Sequence, residues 1–326
     1  MDASIATQDA RARSGTRVEI RAIHRPRPRD LRGLAELIER TARLDGHRPI
    51  GEHALVELKQ GPRAFPHAAF AATEGGELVG YAHLSRRETR HGWRLEAFVA
   101  PERRGRGIGT RLVAAVLDHV AAHGGGRIHA WAYLPGPAQE RLARRFGMRL
   151  VRRLFRMSRP LPAPGIEPPA GLRIRPFRPD DAEAWLALHN RVFADHPDAG
   201  GWRLRDLAWH LEEAWFDPSG FLLAEAEAGL VGYCWMKLEG ELGWVYFLGV
   251  APEVRGTGLA DALCATGLGW AHRRGATRGV LYVDEGNPPA VRLYRRLGFG
   301  VEHVDLCYEA SVPPAGPGGD RGLSAP

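Results

Sequence analysis

The sequence predicts an α/β fold written twice in tandem, and three observations carry that expectation. A stretch beginning at His91, HGWRLEAFVAPERRGRGIGTRL, returns at Leu242 as LGWVYFLGVAPEVRGTGLADAL, an offset of 151 residues. RLARRFGM at Arg141 returns as RLYRRLGF at Arg292 with the same offset of 151, so two separate stretches keep one spacing, as a duplicated unit requires. In each copy an apolar run of strand composition passes through a proline into a glycine-rich loop and straight into a helical pattern. With helices between the strands, each half is expected to be a mixed, mostly antiparallel sheet flanked by helices.

Residues 1–16 are polar and expected to be disordered. The first domain is expected over 17–160. Its opening, Arg17-Val-Glu-Ile-Arg, echoes Gly171-Leu-Arg-Ile-Arg, and its Leu78-Val79-Gly80-Tyr81 recurs as Leu230-Val231-Gly232-Tyr233. Pro160, Pro162, Pro164, Pro168 and Pro169 mark a stiff linker over 161–170, because proline continues neither a helix nor a central strand. The second domain is expected over 171–310. It reads in order as strand 172–177, helix 180–193, strands 221–225 and 230–238, the central strand 243–250, helix 258–273, strand 279–283, helix 289–297 and strand 300–308. Residues 311–326, rich in proline and glycine, are expected to be disordered.

At 326 residues the chain is long enough for two domains that each bury a core. No apolar run approaches membrane-spanning length, and the first 17 residues hold no apolar signal core, so a cytoplasmic protein with no membrane partner is expected. Cys234, Cys264 and Cys307 are widely spaced and odd in number, neither a disulfide framework nor a metal site, and no metal is expected. The net charge is +7 and the pI about 9.7, but all 45 basic residues except Lys59 and Lys237 are arginine, a bias that looks like GC-rich coding. The one local cluster, from Arg141 to Arg156, reads as a solvated face, and no aromatic–basic interleaving accompanies it, so no nucleic-acid partner is expected. A tandem already pairs two such domains, which predicts a monomer.

The loop Arg255, Gly256, Thr257, Gly258, Leu259, Ala260 brings backbone N–H groups to the positive end of a helix, where they can hold a pyrophosphate. A glycine-rich helix entry alone is more often only a turn, so the residues around it decide. The spacing Arg-x-x-Gly-x-Ala, reached from a strand, resembles the acetyl-CoA loop of the Gcn5-related N-acetyltransferases, and Asn287…Tyr294…Gly298-Phe299 resembles that family's next motif. The resemblance implies two tandem domains of that fold, acetyl-CoA as cosubstrate, and N-acetyl transfer by direct attack. It implies cofactor contacts at Leu248, Gly249 and Val250, where a backbone N–H supports the oxyanion, along the whole loop to Asp261, and at Asn287 and Arg292. Tyr294, seven residues after Asn287, is implied as the acid that protonates the departing thiolate. In the first half Ala97, Phe98 and Val99 and the loop Gly105, Arg106, Gly107, Ile108, Gly109 and Thr110 match, but Gly136 and Ala143 stand at the places of Asn287 and Tyr294. That half is expected to bind acetyl-CoA without turnover.

The order LDGHRPIGEHAL, HAWAYLPGPAQERLARRFGM, LFRMSRPLP, FADHPDAGGW, EAWFDPSGFLLAE, VGYCWMK and LYVDEGN is similar to the mycothiol synthases, an actinobacterial family of tandem acetyltransferases, from about Val18 to Tyr308. This resemblance implies a small-molecule amine partner, the cysteinyl amine of desacetylmycothiol, acetylated in the last step of mycothiol biosynthesis. It implies substrate contacts at Glu52, Asp198, Lys237 and Tyr294. Carboxylates accept from sugar hydroxyls and from an ammonium, and a lysine donates to hydroxyls, which suits a polyol amine. Taken without the family, Lys237 is as well explained as an exposed charge at a strand end.

One departure cuts across these matches. The family has Gly-Glu-Val-Tyr at the start of the central strand, its glutamate serving as base, whereas this chain has Gly243-Trp244-Val245-Tyr246. Trp244 cannot take a proton. Three explanations are open. Another carboxylate acts through water, Glu241 first, with Glu239 or Asp198 behind it. Or the amine enters neutral, since an α-amino group loses its proton near pH ~7.7–8, and the missing base costs at most the ~100- to 10,000-fold of general base catalysis. Or the pocket serves another small amine, with Trp244 as a substrate contact beside Trp235 and Trp202. Outside these stand a non-catalytic acetyl-CoA binder, against which Tyr294 and Asn287 speak, and a ribosome-associated, nucleic-acid-binding or protein acetyltransferase, for which no groove or platform signal is visible.

Overall fold

The computed structural model describes residues 17–23, 28–51, 54–55, 57–58, 67–86, 92–133, 135–196 and 200–316. The chain forms two compact units, one of Met1–Val151 with Leu306–Pro326 and one of Arg152–Asp305.

Unit 1 begins with β1 (Glu19–Ile23) and α1 (Pro28–Asp45), whose Leu34, Leu37 and Ile38 are buried at helical spacing. The hairpin β2 (His67–Glu74) and β3 (Glu77–Arg86) leads to β4 (Trp93–Val99), then to α2 (Ile108–Ala122), β5 (Gly126–Ala132) and α3 (Pro137–Arg145). Along α2, Ile108, Leu112, Val116 and Val120 make one buried stripe against the sheet. Pairing is antiparallel from β1 through β4, and parallel between β4 and β5.

Unit 2 repeats the plan with β7 (Arg173–Pro176), α4 (Ala182–Val192), α5 (Leu204–Leu211), β8 (Phe221–Ala226), β9 (Gly229–Glu239), β10 (Leu242–Val250), α6 (Leu259–Arg273), β11 (Arg278–Asp284) and α7 (Pro288–Arg296). Again only β10 and β11 run parallel. The two faces of this sheet differ. One packs Val245 and Leu281 under α6, and the other carries Trp185 of α4 and Phe221, Tyr233 and Trp235 of the strands, all fully buried. Phe221 stacks on Trp235 at 4.2 Å between centroids, and Trp185 meets both rings edge-on.

The elements expected for the second half form within a few residues of their expected ends, with one addition: the sequence reading had no helix at α5. The closing strands depart from the expected domain bounds of 17–160 and 171–310. In unit 1 the strand beside β5 is the end of β12 (Gly300–Val312), with Leu306 opposite Ala132 and Val312 opposite Gly126. In unit 2 the strand beside β11 is β6 (Arg149–Pro160), with Leu154 opposite Asp284 and Pro160 opposite Arg278. The last strand of each repeat thus completes the sheet of the other. This also corrects the disorder expected from residue 311, since β12 runs to Val312 and the Ala315 N–H donates to the Ala121 carbonyl at 2.9 Å. The 1–16 tail and residues 317–326 lie outside the described residues.

Candidate active site

The site is built where β10 changes partners. Residues Leu242 to Val245 pair with β11 from Arg278 to Leu281, and there that ladder ends. Against β9 a bulge between Val245 and Phe247 inserts Tyr246, bending the strand. From Tyr246 to Val250 one edge of β10 stays on β9 while the other has no strand partner among the described residues, leaving backbone donors available. Gly249 lies in this segment for a steric reason: a Cβ there would stand 2.6 Å from Tyr233 Cε1. The Tyr233 ring so seated hydrogen-bonds through its hydroxyl to His189 Nδ1 at 2.6 Å, both residues being fully buried. Burial pushes the Tyr233 phenol well above its ordinary range.

The strand then runs into the loop. Gly256 and Gly258 have φ of 81° and 90°, the region that favours glycine, and nothing lies within 4 Å of either Cβ position. Gly258 caps α6 without a side chain; the Leu259 N–H donates to Thr257 Oγ1 at 3.4 Å, and the next amides lie at the positive end of the helix. Thr257 Oγ1 donates to the Val254 carbonyl at 2.9 Å and braces the turn, and Asp261 is held by Arg296 at 3.1 Å. Arg255 and Arg292 are exposed and form no ion pair among the described residues. An open glycine loop at a helix start, beside the exposed Arg255, fits the pyrophosphate of acetyl-CoA.

Unit 1 has the same frame with different occupants. Its β4 ladder with β5 stops at Glu96 opposite Trp131, leaving Ala97, Phe98 and Val99 beyond it. Gly105 and Gly107 have φ of 76° and 77°, with Gly107 capping α2 ahead of Ile108, Gly109 and Thr110. The arginines of this loop are engaged: Arg104 with Asp45 at 2.5 Å, and Arg106 and Arg103 with Glu74 at 2.5 and 3.1 Å. The Arg106 hydrogen bond holds the Glu74 carboxyl below its usual range. Ala143 is buried in α3.

Tyr294 sits on α7, 7% exposed, with its ring edge-on to Phe299 and its hydroxyl without a hydrogen-bond partner among the described residues. Burial first, then the Cys264 and Cys234 thiols, pushes its phenol well above the ordinary range, so it stays protonated. Asn287 caps α7, its side-chain oxygen accepting from the Ala290 N–H at 3.2 Å. The expected contact is therefore also a helix cap.

Lys237 and Trp244 come together, directly opposite in the β9–β10 register. Lys237 Nζ lies 5.0 Å over the Trp215 ring, a cation–π contact, and Trp244 stacks on Tyr282 at 5.7 Å beneath the Arg156 guanidinium at 5.1 Å. Glu241 is not brought to this place. It stands in the turn between β9 and β10, exposed, with Thr277 Oγ1 donating to its carboxylate at 3.3 Å, about 16 Å of extended strand from Tyr246. Glu52 and Asp198 lie outside the described residues. Two groups were missed by sequence reasoning: the Tyr233–His189 pair, and His210 on α5, whose ring lies tilted against Trp202 at 4.5 Å and reaches to 6.1 Å from Tyr246. The period Leu204, Leu207, Ala208, Leu211 was the available signal for α5.

Residues 34–148 and 183–299 match the acetyltransferase (GNAT) family model, and with the divided strand and glycine loop they define an N-acetyltransferase whose fold is present twice. The chain is 46% identical over 304 residues to the mycothiol acetyltransferase of Thermobispora bispora, covering 90% of this chain and 98% of that protein. It is 37% identical over 315 residues to that of Streptomyces coelicolor, covering 94% and 100%. The chain belongs to the mycothiol acetyltransferase family within the GNAT acetyltransferases. Among solved structures it resembles a GCN5-related N-acetyltransferase from Sphaerobacter thermophilus, with TM-score 0.68 and 28% identity over 90% of this chain and 96% of that one. A tandem GNAT protein of the clavulanic acid biosynthesis pathway shares the fold, with TM-score 0.72 and 18% identity over 92% and 100% of the two chains.

Proposed function

We propose that unit 2 transfers acetyl from acetyl-CoA to the cysteinyl amine of desacetylmycothiol, the last step of mycothiol biosynthesis, and that unit 1 binds acetyl-CoA without turnover. The observation that carries the division of labour is Tyr294: a buried phenol kept protonated beside a divided strand, matched in unit 1 by the side chain of Ala143. The full-length likeness to mycothiol acetyltransferases supports the acceptor. In the reaction the amine attacks the thioester carbonyl, a backbone N–H on the free edge near Leu248, Gly249 and Val250 supports the oxyanion, and Tyr294 protonates the departing thiolate. Lys237 donates to acceptor hydroxyls from its place opposite Trp244. The tandem supports a monomer working in the cytoplasm on a small molecule.

A second reading, a different small amine, is favoured by Trp244, whose stack with Tyr282 and Arg156 takes the place of the family's glutamate. Thiol release from acetyl-CoA, measured with desacetylmycothiol beside cysteinyl, sugar and aryl amines, separates the two. Saturable turnover on desacetylmycothiol is expected. Turnover confined to another amine makes Trp244 a specificity residue, and silence on every acceptor with acetyl-CoA still bound leaves a binding protein.

A further inference from the structure

We infer that the acetyl-CoA loop of unit 1 is held by an internal anion, the Glu74 carboxylate, which the pyrophosphate has to displace from Arg103 and Arg106 before the site fills. The inference rests on the reading of unit 1 as an acetyl-CoA binder and adds how that binding is controlled. Glu74 ends β2, opposite Glu77 across the turn into β3. Arg106 donates from both terminal nitrogens to its two oxygens at 2.5 and 3.1 Å, and Arg103 Nε reaches the second oxygen at 3.1 Å. The Glu74 side chain is only 10% exposed, so water screens these pairs less than it screens an open surface pair.

Arg106 lies inside the loop, between Gly105 and Gly107, and Arg103 ends the short helical turn ahead of it. A guanidinium grips a carboxylate or a phosphate through the same fork of N–H groups, so one anion excludes the other from that fork. The arginine between them is engaged elsewhere. Arg104 holds both oxygens of Asp45 at 2.9 and 2.5 Å, and its Nε donates to the Val99 carbonyl at 3.1 Å. Asp45 is the last residue of α1, so this pair fastens the base of the loop to a helix. Arg103 and Arg106 are then the pair that a pyrophosphate recruits once Glu74 releases them.

The second copy of the fold shows that the loop does not need the clamp. Ala226 stands at the hairpin position of Glu74, opposite Gly229 as Glu74 is opposite Glu77. The offset of 151 puts Val254 at the place of Arg103 and Thr257 at that of Arg106. The acid and both arginines are present together in one unit and absent together from the other, as expected of groups that act on one another. Both loops keep two glycines with φ between 76° and 90°, so the backbone cradle is the same and only its lock differs. Unit 2 therefore fills first, and unit 1 fills at higher acetyl-CoA.

The test is calorimetry of acetyl-CoA on the full chain with the unit 2 loop disabled by Gly256→Asp and Gly258→Asp, comparing that chain with the same chain carrying Glu74→Gln or Glu77→Gln. Exposed ion pairs are each worth a factor of about 1.5–5 in an equilibrium, so losing two should tighten the unit 1 dissociation constant by about 2- to 25-fold in Glu74→Gln. Glu77→Gln removes the same charge from the same hairpin, where it faces Arg40 and not the loop, and should leave the constant within about 1.5-fold. Absence of binding in all three chains overturns the reading of unit 1 as a binder, and the clamp with it. Binding that Glu74→Gln leaves unchanged or weakens overturns the clamp alone, as does an equal gain from Glu77→Gln. Should Glu74→Gln fail to fold, Glu74→Asp, one methylene shorter, removes the bidentate grip and is judged by the same tightening.

Discussion

Tyr294 is a test case for what burial does to one side chain. Its phenol is shielded on α7 and sits near two thiols, of which Cys264 is itself pushed up to about 12 by burial, so nothing nearby favours the phenolate. A phenol that holds its proton through the neutral range is ready to share it with the sulfur as the C–S bond breaks. Tyr294→Phe should therefore lower kcat by ~100-fold or more while leaving the acetyl-CoA dissociation constant within about twofold, checked by thiol release and calorimetry. An unchanged kcat would remove the acid assignment. Tyr233 poses a different question, since its hydroxyl serves His189 and its ring serves Gly249. Tyr233→Phe keeps the ring and removes the hydrogen bond, an expected loss of ~1–3 kcal/mol in urea unfolding. Tyr294 was legible in the sequence because it sits at a fixed spacing from Asn287 on one helix. The His189–Tyr233 pair was not, because residues 44 apart meet only once α4 has packed on β9.

At the scale of elements, the central strand, its loop and the following helix were legible because strand composition, glycine and helical period change over a dozen adjoining residues. The bulge at Tyr246 was invisible, since it is a mismatch with β9 and belongs to no local pattern. Helix α5 was overlooked because eight residues hold too few turns to stand out from loop. Electrostatics also acts between elements. Arg175 on β7 bonds both oxygens of Asp181 at 2.7 Å, ahead of α4, and also bonds Glu225 on β8, fastening the start of the helix to the sheet. Arg175 holds the Asp181 carboxyl below its ordinary 3.8. A depressed acid contributes stability in full above its unfolded value and loses it as pH falls through the folded one. Asp181→Asn should thus cost about 1.5–3 kcal/mol at neutral pH, and the two proteins should converge in stability as pH falls through the depressed folded value of Asp181, measured by denaturant unfolding at each pH.

For the whole molecule, the 151-residue repeat predicted two domains, and two units formed. The exchange of closing strands was beyond sequence reading, because the last strands of the two repeats occupy the same place in the pattern and either could pair at either edge. It changes what truncation should do. A chain ending at residue 305 loses buried Cys307 and Tyr308 and the whole ladder beside β5. At ~1.5–3 kcal/mol for each large buried side chain and ~0.5–1.5 for each ladder bond, that loss rivals the ~5–15 kcal/mol stability of a domain. Limited proteolysis should then digest unit 1 while a chain ending at residue 316 resists and unfolds at the wild-type temperature. Equal resistance of both chains would show that the exchanged strand is dispensable.

The same strand sets an order of events during synthesis. Residues 306–312 leave the ribosome only after the whole of unit 2, so β5, made before it, waits with an open edge while the intervening chain is translated. At the ~5–20 residues per second of protein synthesis that wait lasts roughly 9–35 s. Unit 1 is begun before unit 2 and completed after it.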